Sequence, residues 1–198
     1  MYRLFYDQVV SGDILFVLIA PEKKTTKIVK NGDLALLYSD DELTGINLFN
    51  ASRLDAFKTK GIIYAPSDVL IDGLNKYLVS AKAAPLPYTR DSGFHLAKIT
   101  MMEEHPLDEK AHILTLDLGG KTLTTVSWYA NIQVGSLVVV ALDGTILRDG
   151  SVFHSFVSRN IPNEVSLMGS KDLGLPDKEG AYLATTGNAG EDFFLGGK

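Results

Sequence analysis

Trp128 and Tyr129 stand side by side between Ser127 and Asn131, two aromatic rings flanked by short polar side chains. Exposed rings in such company can stack on a flat ligand while their neighbours hydrogen bond its edges. Successive strand residues point to opposite faces, so one ring is expected outside and the other against the core. The other candidates for chemistry are poorer. His95, His105, His112 and His154 show no i/i+4 pairing, and the chain has no cysteine, so no metal site is expected. Residues 172–179 are rich in carboxylates but lack the alternating ligand spacing of a calcium loop. No phosphate-binding loop, nucleophile elbow or dinucleotide fingerprint occurs, so neither a catalytic residue nor a cofactor is expected and the chain reads as non-enzymatic.

The elements that must position the aromatic pair follow from hydrophobic periodicity. Residues 113–118 and 121–127 alternate apolar and polar on either side of Gly119-Gly120, which is the strongest hairpin signal in the chain. Residues 94–102, 136–142, 151–158 and 181–185 read as further short strands, and 167–173 as a brief helical turn before Gly174 and Pro176. Short strands at this spacing predict a small all-β barrel or sandwich over 94–198. Upstream, 4–6, 13–20, 33–38 and 43–49 read as strands, with Asn31-Gly32 marking a turn. Between Ser67 and Lys82 the period becomes helical, with Ser67 and Asp68 as capping candidates. The first part is therefore expected to be an α+β domain over residues 1–84. Two prolines and a polar, glycine-containing stretch over 85–93 read as a linker.

Bulk properties narrow the classes. The chain of 198 residues is 45% hydrophobic and 22% charged, ample for a packed core and unlike a disordered chain. No apolar run is long enough to span a bilayer, and the first residues lack the order of a signal peptide, so a cytoplasmic protein with no membrane partner is expected. Charge is divided unevenly. Residues 1–90 carry eleven Lys and Arg against ten Asp and Glu, whereas 91–198 carry eight against fourteen. If the second part holds nucleic acid, its few cations must gather on one face.

Several blocks together carry a resemblance. His105-Pro106-Leu107-Asp108-Glu109-Lys110, then Asp117-Leu118-Gly119, then Ser127-Trp128-Tyr129-Ala130-Asn131-Ile132 resemble the signature of EMAP/Myf-type tRNA-binding domains. Arg159-Asn160-Ile161-Pro162 and the stretch from Leu167 to Pro176 resemble that family's next segment and short helix. Thr44-Gly45-Ile46-Asn47-Leu48-Phe49-Asn50-Ala51-Ser52 resembles a block in the N-terminal domain of bacterial YtpR-type proteins, and the tRNA-binding part is also similar to the N-terminal segment of bacterial phenylalanyl-tRNA synthetase beta subunits. The resemblance covers nearly the whole chain in one domain order. It implies an OB-fold over 94–198 and tRNA or another structured RNA as partner, with Lys110, Arg159 and Lys171 on phosphates and Ser127, Trp128, Tyr129, Asn131 and Asn163 at the RNA. This sequence departs from the family at Ala111, Trp128, Asn160, Asn163, Val165 and Ser166. These positions lie in or beside the loops that contact tRNA in the family. The departures and the acidic balance motivate an alternative expectation, a protein-interaction module that has lost most tRNA affinity. Homodimerisation is a further expectation on the partner side.

Overall fold

Alternation of apolar and polar residues favours strands, and strand is the commonest regular element of this chain. In the computed structural model, which describes residues 1–54, 61–176 and 179–196, two compact units form, Met1–Arg90 and Asp91–Lys198.

The first unit runs β1 (Arg3–Tyr6), α1 (Gln8–Ser11), β2 (Ile14–Leu18), β3 (Lys27–Asn31), β4 (Leu34–Ser39), β5 (Glu42–Phe49), β6 (Gly61–Ile63) and α2 (Asp68–Ser80). Its six strands form one sheet in the order β3-β4-β5-β2-β1-β6, with antiparallel neighbours throughout. Helix α2 starts where Ser67 accepts the Leu70 N–H at 3.3 Å, a side-chain cap on an otherwise unpaired helix donor. Leu70, Ile71, Leu74 and Leu78 recur at three- and four-residue spacing and bury one stripe of the helix in the core that holds Leu4, Leu15, Ile46 and Leu48. The segment after the helix is tied down as well. Asn75 brackets Leu86, donating to its carbonyl at 2.9 Å and accepting its N–H at 2.8 Å, and the Tyr88 hydroxyl donates to Asp72 at 2.6 Å.

The expected α+β class is overturned. Among the described residues strand makes up 43% and helix 11%, only one helix reaches seven residues, and no distinct α+β domain forms in the first part. The helix falls where its period predicts it. What the pattern missed are β3 and β6: β3 is exposed along its whole length and β6 is three residues long. β3 has no buried face, and β6 buries only Ile63 in a run too short to show a period, so backbone pairing with a neighbour defines both and hydrophobic period cannot report them.

The second unit runs β7 (Phe94–His105), β8 (Asp108–Asp117), β9 (Thr122–Ser127), β10 (Leu137–Ala141), β11 (Thr145–Ile146), β12 (Val152–Phe153), β13 (Phe156–Ser158), β14 (Ile161–Asn163) and β15 (Ser166–Leu167). Five of them form a sheet in the order β15-β10-β7-β8-β9, and β11-β12 and β13-β14 are two-stranded pairs. Gly119 and Gly120 both take positive φ in the β8–β9 turn, as a two-residue hairpin loop demands. Gly119 is further constrained, since a Cβ there would lie 2.8 Å from the Ala189 carbonyl oxygen.

The sheet curls until its far edges meet. Glu164 N–H donates to the Thr124 carbonyl at 2.9 Å, the Thr125 hydroxyl to the Val165 carbonyl at 2.6 Å, and Val126 N–H to Asn163 Oδ1 at 3.1 Å. The stretch that leads into β15 is thereby fastened to β9. Inside lie Ala97, Ile99, Leu114, Leu116, Val138 and Val140. Two expected elements take other forms. Within 167–173, Leu167 ends β15 and a hydrogen-bonded turn follows, with Leu173 N–H on the Gly169 carbonyl at 3.3 Å. Within 181–185, only single bridges form, Gly169 to Ala181 and Val138 to Leu183.

Candidate nucleic-acid interface

Trp128 and Tyr129 follow β9 directly, and they part company as the alternation rule requires. Trp128 is 63% exposed, whereas Tyr129 is half-buried and packs against the core. The indole N–H donates to Asp108 Oδ2 at 2.8 Å, and Lys110 N–H donates to Oδ1 of the same carboxylate at 3.0 Å. The Trp128 hydrogen bond, then the Lys110 N–H and the nearby Lys110 charge, hold the Asp108 carboxyl below its ordinary range. The ring's polar edge is thus satisfied while much of its surface stays in solvent.

A groove of about 440 Å³ opens beside this ring, bounded by the β7–β8 turn, Val126, Phe156, Ser158, Arg159 and Asn163. Phe156 is 54% exposed. Arg159 sits with Asn160 at the tip of the β13–β14 hairpin, where Ser158 pairs with Ile161 and both tip residues have positive φ, 51° and 65°. That is a two-residue loop of the primed type. Asparagine tolerates this region well, but arginine is uncommon there and carries strain.

A second concavity of about 560 Å³ lies beside Tyr129, lined by Leu147, Arg148, Asp149, Ser166, Leu167, Met168, Lys171 and Asp172. Burial, then the charge and hydrogen bond of Asp172, push the Tyr129 hydroxyl's pKa up. Both lining carboxylates are engaged: Asp149 accepts the Ser151 N–H and hydroxyl, and Asp172 accepts the Gly169 N–H and the Tyr129 hydroxyl.

The eight residues expected at the RNA therefore separate. Trp128, Arg159 and Asn163 line one groove, Tyr129 and Lys171 the other pocket. Lys110 is exposed on β8 near Asp108 and lines neither concavity. Ser127, Asn131 and Asn163 have structural duties. Ser127 is buried and its hydroxyl accepts the Tyr129 N–H at 3.2 Å. Asn131 accepts the Ala181 N–H at 2.8 Å and donates to the Ala181 carbonyl at 2.9 Å. Asn163 is buried and caps an unpaired donor of β9. Sequence reasoning missed Asp108, Phe156 and Arg148. Of these, only Phe156 carried a local signal, an aromatic residue within an expected strand.

One cluster elsewhere has metal-ligand chemistry. Donor atoms of Asp91, His95 and Asp192 lie within 4.8 Å of one another. His95 Nδ1 is 3.0 Å from the Gly190 carbonyl and Nε2 is 3.0 Å from Asp91, so an imidazolium satisfies both acceptors. Asp192 already accepts Ser92 N–H and hydroxyl and the N–H groups of Phe194 and Leu195. The arrangement is that of an ion pair locking residues 190–195 against β7.

The chain is similar in sequence to several curated proteins. The chain is 27% identical over 177 residues to the Putative tRNA-binding protein YtpR of Bacillus subtilis (strain 168), covering 87% of this chain and 88% of that protein. It is 27% identical over 94 residues to the phenylalanine–tRNA ligase beta subunit of Sulfurimonas denitrificans and 26% identical over 98 residues to that of Novosphingobium aromaticivorans. Each of these two matches takes in 48% of this chain and 12% of the ligase subunit. The crystal structure of a MetRS related protein from Pyrococcus horikoshii covers 49% of this chain and 84% of that one at 13% identity, with a TM-score of 0.34, too slight a likeness to argue from. No family model matches the chain. Among the described residues no helix is long and apolar enough to cross a membrane.

Proposed function

We propose that this chain is a non-enzymatic RNA-binding protein that takes tRNA through its second unit, which we read as an OB-type barrel of the EMAP/Myf kind. The strand order supports that reading, since consecutive β7, β8 and β9 are followed by closure through residues 163–167 and β10 back to β7. The carrying observation is Trp128: an exposed ring, its N–H tethered to Asp108, facing a groove with Phe156 and the guanidinium of Arg159, which has no acidic partner among the described residues. Unstacked bases bind to such rings with little sequence preference, and a cation beside them holds the backbone. Arg159 and Lys110 position phosphates and Trp128 stacks.

Trp128 is the chain's single tryptophan, so its fluorescence reports the groove alone. Saturating tRNA at low salt should quench it, and Trp128→Ala should weaken tRNA binding by about tenfold, one stacked base contributing on the order of 1–3 kcal/mol. The salt dependence should be shallow, about 0.7 logarithmic units per phosphate engaged. Absence of tRNA binding at low salt sinks the proposal. In that event the exposed Leu107 and Phe156 that line the groove with Trp128 and the acidic balance favour the protein-interaction reading, with the same groove as the docking surface.

A further inference from the structure

The pocket beside Tyr129 is not the Trp128 groove: no residue lines both. Its lining carries two carboxylates and two cations, and they differ in how far their hydrogen-bonding capacity is used. Asp149 and Asp172 are each engaged by protein donors. Arg148 and Lys171, by contrast, have no acidic partner among the described residues. Arg148 spends one nitrogen on the backbone carbonyl of Lys171, at 2.7 Å, which anchors the guanidinium at the residue that carries the other cation. What the pocket has left to offer is therefore the remaining N–H donors of two cations that have no ion-pair partner among the described residues, beside an apolar floor of Leu147 and Met168 and an aromatic wall of Tyr129. Its volume of about 560 Å³ is in the range of small-ligand sites.

We infer that this pocket is a second nucleotide subsite, holding a phosphate between Arg148 and Lys171 and the sugar and base against Tyr129, Leu147 and Met168. Guanidinium and ammonium groups both suit phosphate oxygens, the first as a fork and the second as a point charge. The inference rests on the nucleic-acid reading above only for its source of nucleotide, because a free mononucleotide offers the same groups as a residue of an RNA strand. In the RNA case a strand passing the 128–129 step would lay one base on Trp128 and a neighbouring nucleotide in the pocket.

The test uses the full chain with methyl-labelled methionine, in which Met168 lies in the pocket and Met101 and Met102 on β7 serve as internal references. Adenosine monophosphate should shift the Met168 methyl signal and leave the references in place. Lys171→Gln should weaken that binding about tenfold, as loss of a charge-assisted contact does, and should lower the logarithmic salt slope for tRNA by about 0.7. Trp128→Ala should leave the Met168 shift intact. Displacement of adenosine monophosphate by tRNA makes the occupant a nucleotide of the strand, and its persistence beside bound tRNA makes it a free nucleotide; both support the subsite. If tRNA binds but neither it nor adenosine monophosphate moves Met168, the subsite is overturned and the Trp128 reading stands. If inorganic phosphate reproduces the shift at equal affinity, the pocket is an anion site and the nucleotide assignment is overturned. A Met168 shift in a chain that binds no tRNA supports a mononucleotide pocket and overturns the RNA reading instead.

Discussion

The two sheets solve the same packing problem in opposite ways. The first leaves its edges apart, covers its core with α2, and ends at β3, whose five residues are all exposed. The second brings its edges together through Thr124, Thr125 and Val126, so its core needs no helix and its outer loops are released to carry rings and cations. An open sheet depends on what covers it, and a closed one depends on the residues that fasten it.

That contrast is sharpest for Leu74→Ala, which removes a fully buried side chain from the covering helix. It should destabilise the first sheet by about 2–5 kcal/mol. Hydrogen exchange should then accelerate in β1 to β5 and stay slow in β7 to β10; equal acceleration in both would break the comparison. Next in size is Asn131→Ala, which strands the N–H and C=O of buried Ala181. We expect a cost of about 1–3 kcal/mol seen as a lowered melting temperature, with tRNA quenching of Trp128 retained at temperatures where the variant is folded. Loss of quenching without loss of stability would return Asn131 to the binding face.

A smaller effect should follow pH. Burial pulls the His95 pKa down, but Asp91, the Gly190 carbonyl and Asp192 outweigh it and the net shift is upward. The contribution is then fully present below the unfolded value of about 6.5 and is lost as pH rises through the raised folded value. The melting-temperature difference between the parent and His95→Gln should accordingly shrink as pH rises from about 5 to about 9; a constant difference would mean that His95 packs without charge. The smallest effect belongs to Trp128→Ala. With most of the ring in solvent, stability should change by no more than about 0.5 kcal/mol while tRNA affinity falls, a separation that thermal melting and titration together would reveal.

Much of this was legible in the chain itself. The period of 67–82 identified α2, because a buried helical stripe writes itself into sequence at three- and four-residue intervals. The Gly119-Gly120 turn and the divergence of Trp128 from Tyr129 followed from local rules that need only neighbouring residues. The α+β expectation failed at β3 and β6, the first exposed throughout and the second only three residues long, so neither writes a readable period into the sequence. Lys110, expected at a phosphate, lies on a strand because β8 begins at Asp108, ahead of the alternating run that starts at 113. Ser127, Asn131 and Asn163 were legible as polar residues near an interface, but not as the fasteners of Tyr129, Ala181 and β9. Partners 37 and 50 residues away in sequence are chosen by the closure of the sheet. The same closure put Arg148 at the carbonyl of Lys171 and Trp128 at the carboxylate of Asp108. Residue types and their local period are fixed along the chain; which charges are spent and which remain available depends on contacts that only the folded sheet brings within hydrogen-bonding distance.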